Sequence, residues 1–151
     1  MAESPELVKA YVAIGDLFAE TGFTPTEQQV VLLTISRLNG CEYCVAAHST
    51  VAGLQKVPAE IVAALRNDQP LSDPRLDALR RFTAAVVEQR GWVSETEIQE
   101  FLGAGFDKRR IFDVILAAAM KTLSNYTNHV AGTPLDNAFS KQSWSATSDA
   151  A

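Results

Sequence analysis

Apolar residues in this chain recur at spacings of three and four, and helix-start and helix-stop signals punctuate them along its length. Leu7, Val8, Tyr11, Ile14, Gly15 and Phe18 predict an amphipathic helix over about 5–20. Thr24-Pro25-Thr26-Glu27 reads as the next start. Thr24 is the N-cap, Pro25 takes the first helical position, where a missing N–H costs nothing, and Glu27 closes a capping box. The segment behind it holds Val30, Val31, Leu32, Leu33, Ile35 and Leu38, apolar on nearly all sides, which predicts burial. Asn39-Gly40 suits a left-handed stop. Further helices are predicted from Cys41 to about Gly53, from Pro58 to Arg66 and from Asp73-Pro74 to Gly91. A second capping box, Ser94-Glu95-Thr96-Glu97, opens one over about 95–102, and Asp107 caps the last, which reaches about Val130. Between Phe112 and Met120 that helix has Asp113 as its one polar residue, so a central place is expected for it. Runs of alternating β-branched residues are absent. The expected fold class is all-α, a helical bundle.

At 151 residues one domain is expected, 1–131, followed by a C-terminal tail, 132–151. The polar composition of the tail predicts loose order, above all after Ser145. Phe139 and Trp144 argue that part of it packs on the domain or on a neighbouring subunit. Hydrophobic residues make up 47% and charged residues 21%, as in an ordinary globular protein. Lys plus Arg count 13 against 18 Asp plus Glu, a formal charge of −5. The short basic groups Arg80-Arg81 and Lys108-Arg109-Arg110 read as helix surface, so nucleic acid is not an expected partner. The start Met-Ala-Glu-Ser-Pro-Glu has neither a basic nor an apolar leader region. The longest apolar run, Val114 to Met120, is far short of the ~20 residues a membrane-spanning helix needs. A cytoplasmic protein without membrane contact is expected.

In a reducing compartment a close pair of cysteines is more often catalytic or metal-binding than structural. Here the pair lies in Asn39-Gly-Cys-Glu-Tyr-Cys-Val-Ala-Ala-His48. With Cys41 opening a helix, Cys41, Cys44 and His48 fall within about 60° of arc. Residues three apart are about 5 Å apart at Cα, within disulfide reach. The free N–H groups of a helix N-terminus favour a thiolate, the nucleophilic form of cysteine, and His48 stands one turn on from Cys44 to accept a proton. The stretch supplies nucleophile, base and resolving thiol. Zinc is a competing reading, because the motif offers three ligands, but His129 or a carboxylate would have to supply the fourth. Covalent haem attachment needs a histidine directly after the second cysteine, where Val45 stands. An inert disulfide across so short a loop would restrict the unfolded chain little. Redox chemistry is the favoured reading, with no cofactor and no metal.

The run from Glu27 to His48 closely resembles the core of the carboxymuconolactone decarboxylase family, and most of all its AhpD-like alkylhydroperoxidase branch. The close match covers about 27–53. The resemblance implies an AhpD-like helical bundle assembling as a homo-oligomer, a trimer or hexamer. It also implies a thiol peroxidase or a dithiol–disulfide exchange activity; the rival reading of the same dithiol is an exchange adaptor or redox sensor with little peroxidase activity. The decarboxylase branch lacks the cysteine pair, so lactone decarboxylation is disfavoured. By the same resemblance Cys44 attacks the hydroperoxide, Cys41 resolves the sulfenic acid, and His48 serves the proton relay. An external dithiol, a thioredoxin-like protein or a lipoyl group, completes the cycle. The helix dipole taken alone favours Cys41 as the more acidic thiol, while proximity to His48 favours Cys44. The chain departs from the branch it resembles at Gln29, which stands where that branch places a relay glutamate, and at Tyr43, where a histidine can stand. Glutamine can orient His48 or a water but cannot take a proton. Gln29 and His129 are the remaining relay candidates, His129 also suiting a helix C-terminus. Tyr126 and Asn128 read as packing and capping residues, Trp92 as an anchor after Gly91, and Asp113 as a partner of Arg109 or Arg110.

Overall fold

The helix signals translate into seven α-helices in a computed structural model that describes residues 1 and 3–146. They are α1 (Pro5–Ala19), α2 (Pro25–Leu38), α3 (Glu42–Leu54), α4 (Ala59–Arg66), α5 (Pro74–Glu88), α6 (Glu95–Gly103) and α7 (Lys108–Ala131), followed by a 3-10 turn at Asn137–Gln142. There is no strand among the described residues, and the all-α expectation holds. Among them, too, no helix is long and apolar enough to cross a membrane.

The architecture is arranged around α2. Its capping box forms as the sequence predicts, Thr24 Oγ1 accepting from the Glu27 N–H and Glu27 Oε2 from the Thr24 N–H. Every residue from Gln29 to Ser36 is buried, and α3, α4, α5 and α7 all pack on this helix. Each large apolar side chain buried here contributes roughly 1.5–3 kcal/mol. Thr34 and Ser36 sit in this core because their hydroxyls donate back to the Val30 and Leu32 carbonyls at 2.6 and 2.7 Å. At one end Phe82, Phe101 and Phe106 stack with centroids 4.3 and 4.5 Å apart, fastening α6 and the α6–α7 turn to α5.

Several expectations change. Helix α7 buries one stripe only, through Asp113, Val114, Ala117, Met120, Lys121, Ser124 and Asn125. Phe112, Ile115 and Tyr126 face out, because α7 lies at the edge of the bundle against α1 and α2 and one chain cannot cover all its apolar sides. Trp92 is 87% exposed and anchors nothing within the described residues of this chain. Arg80 and Arg110 are not plain surface: each is largely buried in an ion pair, with Asp77 at 2.9 Å and with Asp113 at 2.6 Å. Helix α5 ends at Glu88, short of Gly91, because Arg90 takes the left-handed stop with φ 54°.

The described end of the chain crosses α3 and α4. Arg66 donates to the Gln142 and Ser143 carbonyls, Trp144 Nε1 donates to the Arg66 carbonyl at 3.1 Å, and Phe139 meets Tyr43 edge to face. Residues 147–151, for which loose order is expected, lie outside the described residues.

Candidate functional site

The cysteines owe their position to the way α2 stops. Gly40 takes φ 63°, a left-handed conformation that costs glycine little. Its N–H bonds the Arg37 carbonyl and the Cys41 N–H bonds the Ser36 carbonyl, both at 2.9 Å, which closes a Schellman motif. That stop leaves Cys41 as the N-cap of α3, its own carbonyl accepting from Val45 at 2.9 Å. Cys44 is then the third residue of the helix, among N–H groups that have no carbonyl partner within it. Both thiols are free and buried, 1% and 4% exposed.

The two sulfurs are unequal. The Cys41 thiol donates toward Cys44, which pulls Cys44 down to about 5 despite its burial, and the Lys121 charge and the amides of Asn128 and Asn125 add to the effect. The same hydrogen bond, with burial, pushes Cys41 upward. Asn128 Nδ2 approaches Cys44 Sγ at 3.3 Å and Cys41 Sγ at 3.9 Å. This geometry favours Cys44 as the thiolate, against the helix dipole taken alone.

His48 makes its hydrogen bonds away from the sulfurs. Its Nε2 lies 2.8 Å from Lys121 Nζ and its Nδ1 lies 3.2 Å from Gln29 Oε1, while Gln29 Nε2 donates to Gln55 Oε1 at 3.0 Å. Burial, then the Lys121 charge, holds the imidazole well below its usual range and therefore neutral. Gln29 thus joins the site, but as an amide that orients His48. Glu27 is committed elsewhere, to its capping box and to Arg75. His129 stays outside this chain of contacts: it is exposed, lies against Tyr126, and lines the rim of a cavity of about 210 Å³ that opens beside Cys41 and Tyr43. Tyr43 donates to Asp136 Oδ2 at 2.6 Å and so ties the crossing C-terminal segment to the first turn of α3.

Three members of the site, Lys121, Asn125 and Asn128, were not nominated from sequence. Asn128 does serve as a capping residue through its backbone, its carbonyl accepting from Thr133 at 3.1 Å, but its side chain belongs to the sulfurs. The available signal was a polar stripe at positions 121, 124, 125 and 128, the spacing of one helix face. Among the described residues, no group of three His, Cys, Asp or Glu side chains is disposed to hold a metal ion.

Comparison with known proteins bears on the family and the fold. The sequence profile described as the carboxymuconolactone decarboxylase family matches residues 5–85, more than half of the chain, including Gln29, both cysteines and His48. Comparison with curated proteins gives no match. Two solved structures are similar in fold. One is the alkylhydroperoxidase AhpD core of an uncharacterized peroxidase-related protein from Ralstonia eutropha JMP134, with TM-score 0.79 and 24% identity over 91% of this chain and 75% of that one. The other is an uncharacterized peroxidase-related protein from Silicibacter sp. TM1040, with TM-score 0.76 and 18% identity over 87% of this chain and 71% of that one.

Proposed function

The chain belongs to the carboxymuconolactone decarboxylase family, and from that premise we propose that it is a thiol-dependent peroxidase working through a Cys41–Cys44 dithiol–disulfide cycle. The observation that carries this reading is the pair of buried, unequal thiols, with Cys44 held toward the thiolate by Cys41, Lys121 and Asn128. The AhpD core and peroxidase-related proteins that share the fold support it.

In the cycle the Cys44 thiolate attacks the terminal oxygen of a hydroperoxide. The O–O bond breaks, an alkoxide leaves and is protonated to the alcohol, and Cys44 becomes a sulfenic acid. The Cys41 thiol then displaces water from Cys44 and closes the disulfide. An external dithiol, a thioredoxin-like protein or a lipoyl group, reopens it by exchange. His48 takes part in the proton traffic through its hydrogen bond with Lys121. The segment 132–146, tied to the start of α3 through Asp136 and Phe139, closes one side of the site. A homo-oligomer, trimer or hexamer, is part of the same reading and is supported by the exposed apolar side of α7 at Phe112, Ile115 and Tyr126.

The test is a single turnover. Fully reduced protein mixed with one equivalent of cumene hydroperoxide should lose both thiols rapidly and gain an intramolecular disulfide by intact mass. Cys44→Ser should abolish the reaction, and Cys41→Ser should stop at an oxidised Cys44. Thiol loss no faster than that of a free thiol would sink the peroxidase reading. It would favour the second one, a dithiol exchange adaptor or redox sensor, which Gln29 in place of a proton-accepting carboxylate supports.

A further inference from the structure

Helix α7 carries to the dithiol a charge that has no conventional partner. Lys121 is 1% exposed, and among the described residues no Asp or Glu pairs with it. Burial pulls its ammonium below the usual lysine range, while Cys44 and Cys41 act in the opposite sense. A lysine so placed sheds its proton unless an anion is supplied. The anion available is the Cys44 thiolate.

The hydrogen bonds fix the direction in which the proton can move. Gln29 spends its amide N–H on Gln55 and so presents its oxygen to His48 Nδ1. An amide oxygen only accepts, so the imidazole proton sits on Nδ1, and Nε2 offers a lone pair to Lys121 Nζ. Lys121 is therefore a donor both to His48 and toward the sulfur. Beside it Asn125, 0% exposed, keeps an Nδ2 donor without a hydrogen-bond partner of its own, its Oδ1 already accepting from Asn39 at 2.8 Å. Lys121 and Asn125 both act on Cys44, so a charged donor and a neutral one stand close to the sulfur that would attack the peroxide.

We propose that Lys121 is the acid of the peroxide reaction, giving its proton to the alkoxide as the O–O bond breaks. The proposal rests on the peroxidase reading above. Before the reaction the site holds a Cys44 thiolate, a Cys41 thiol and a Lys121 ammonium. Afterwards it holds a disulfide and a neutral Lys121 amine, with one alcohol and one water released. The two sulfurs have lost two electrons and the peroxide oxygens have gained them. Oxygen transfer to Cys44 consumes the counter-ion of Lys121 in the same event that consumes its proton, so no buried ammonium is left unpaired when the disulfide then closes. Exchange with an external dithiol returns two electrons and two protons and restores the pair. The titratable groups bearing on this centre are the two thiols, His48 and Tyr43 from the α3 region and Tyr11 from α1, while α2 contributes the neutral Gln29.

Alkylation by iodoacetamide separates the two effects of Lys121, because iodide leaves without a proton. In Lys121→Met the pH midpoint of Cys44 alkylation should rise by at least about one unit, and the rate should reach the parent's above the new midpoint. The single-turnover rate with cumene hydroperoxide should stay at least about 10-fold below the parent's at that same high pH. Lys121→Arg, which keeps the charge but cannot release a proton, should keep the low alkylation midpoint and still be slow with peroxide. Peroxide reactivity that returns in step with alkylation, or an arginine variant as fast as the parent, would overturn the assignment. A parent that alkylates rapidly yet ignores peroxide would overturn the peroxidase reading first, and this role with it.

Discussion

Two ends of the buried face of α7 solve one physical problem in different ways. Near its start Asp113 is buried, and Arg110 one turn earlier reaches it at 2.6 Å. The surroundings are built for that guanidinium. It lies over the Phe23 ring, 5.1 Å from the centroid, and a side chain at Gly22 would collide with it. Two turns further along, Lys121 is buried more deeply and meets an imidazole and two sulfurs but no carboxylate. The first pair is complete in every state of the protein. The second is complete only while Cys44 is a thiolate, so its electrostatics change with oxidation. A fold that supplies a permanent partner at one end and a conditional one at the other has placed its reactivity at the second.

The contrast can be broken most strongly at the permanent pair. Asp113→Ala leaves Arg110 uncompensated and should cost on the order of 3 kcal/mol in denaturant unfolding, with Cys44 alkylation unchanged. A loss below about 0.5 kcal/mol would mean that this end is no better paired than an exposed ion pair. At the conditional end, Lys121→Met in the disulfide form should be neutral or stabilising by up to about 2 kcal/mol, because there it replaces a lysine with no counter-ion by an apolar side chain of similar length. A large destabilisation of the oxidised variant would show that Lys121 has a permanent partner after all. The smallest effect is expected at Gln29. Gln29→Glu places a carboxylate against His48 Nδ1 and should raise the imidazole into the neutral range. The peroxide reaction should then gain about 2–10-fold near neutral pH and acquire a new limb in its pH profile. An unaltered profile would mean that residue 29 does not set the charge of His48.

The same contrast explains what could be read from the sequence. The capping boxes at Thr24 and Ser94, the stop at Asn39-Gly40 and the helix opening at Cys41 are local devices whose residues lie within a few positions of one another, and the structure contains each of them. The pairing of Asp113 was legible for the same reason, Arg110 being three residues away. Lys121 and Asn128 reach residues of α3 and its N-cap from the far end of the chain, a contact that only the tertiary packing of α7 against α2 and α3 creates. His48, one turn on from Cys44 in the sequence, makes its hydrogen bonds with Lys121 and Gln29, partners that tertiary packing supplies. The expected central position of α7 failed for a separate reason. Apolar periodicity reports that a face is to be covered, and not whether this chain covers it.

The central claim is that one of two adjacent buried thiols is ionised at neutral pH and that it is Cys44. Thiolate absorbance near 240 nm, titrated in the reduced parent, Cys41→Ser and Cys44→Ser, tests it directly. Because Cys44 is depressed, its thiolate, and with it alkylation, should persist from alkaline pH down to about 6 and disappear as pH falls through about 5. The parent should show that single low transition and Cys44→Ser should lack it. Cys41→Ser, whose hydroxyl can still donate to the Cys44 sulfur, should keep a low transition. Two thiols titrating together near the free value of about 8.5, or a low transition that survives Cys44→Ser, would contradict the account.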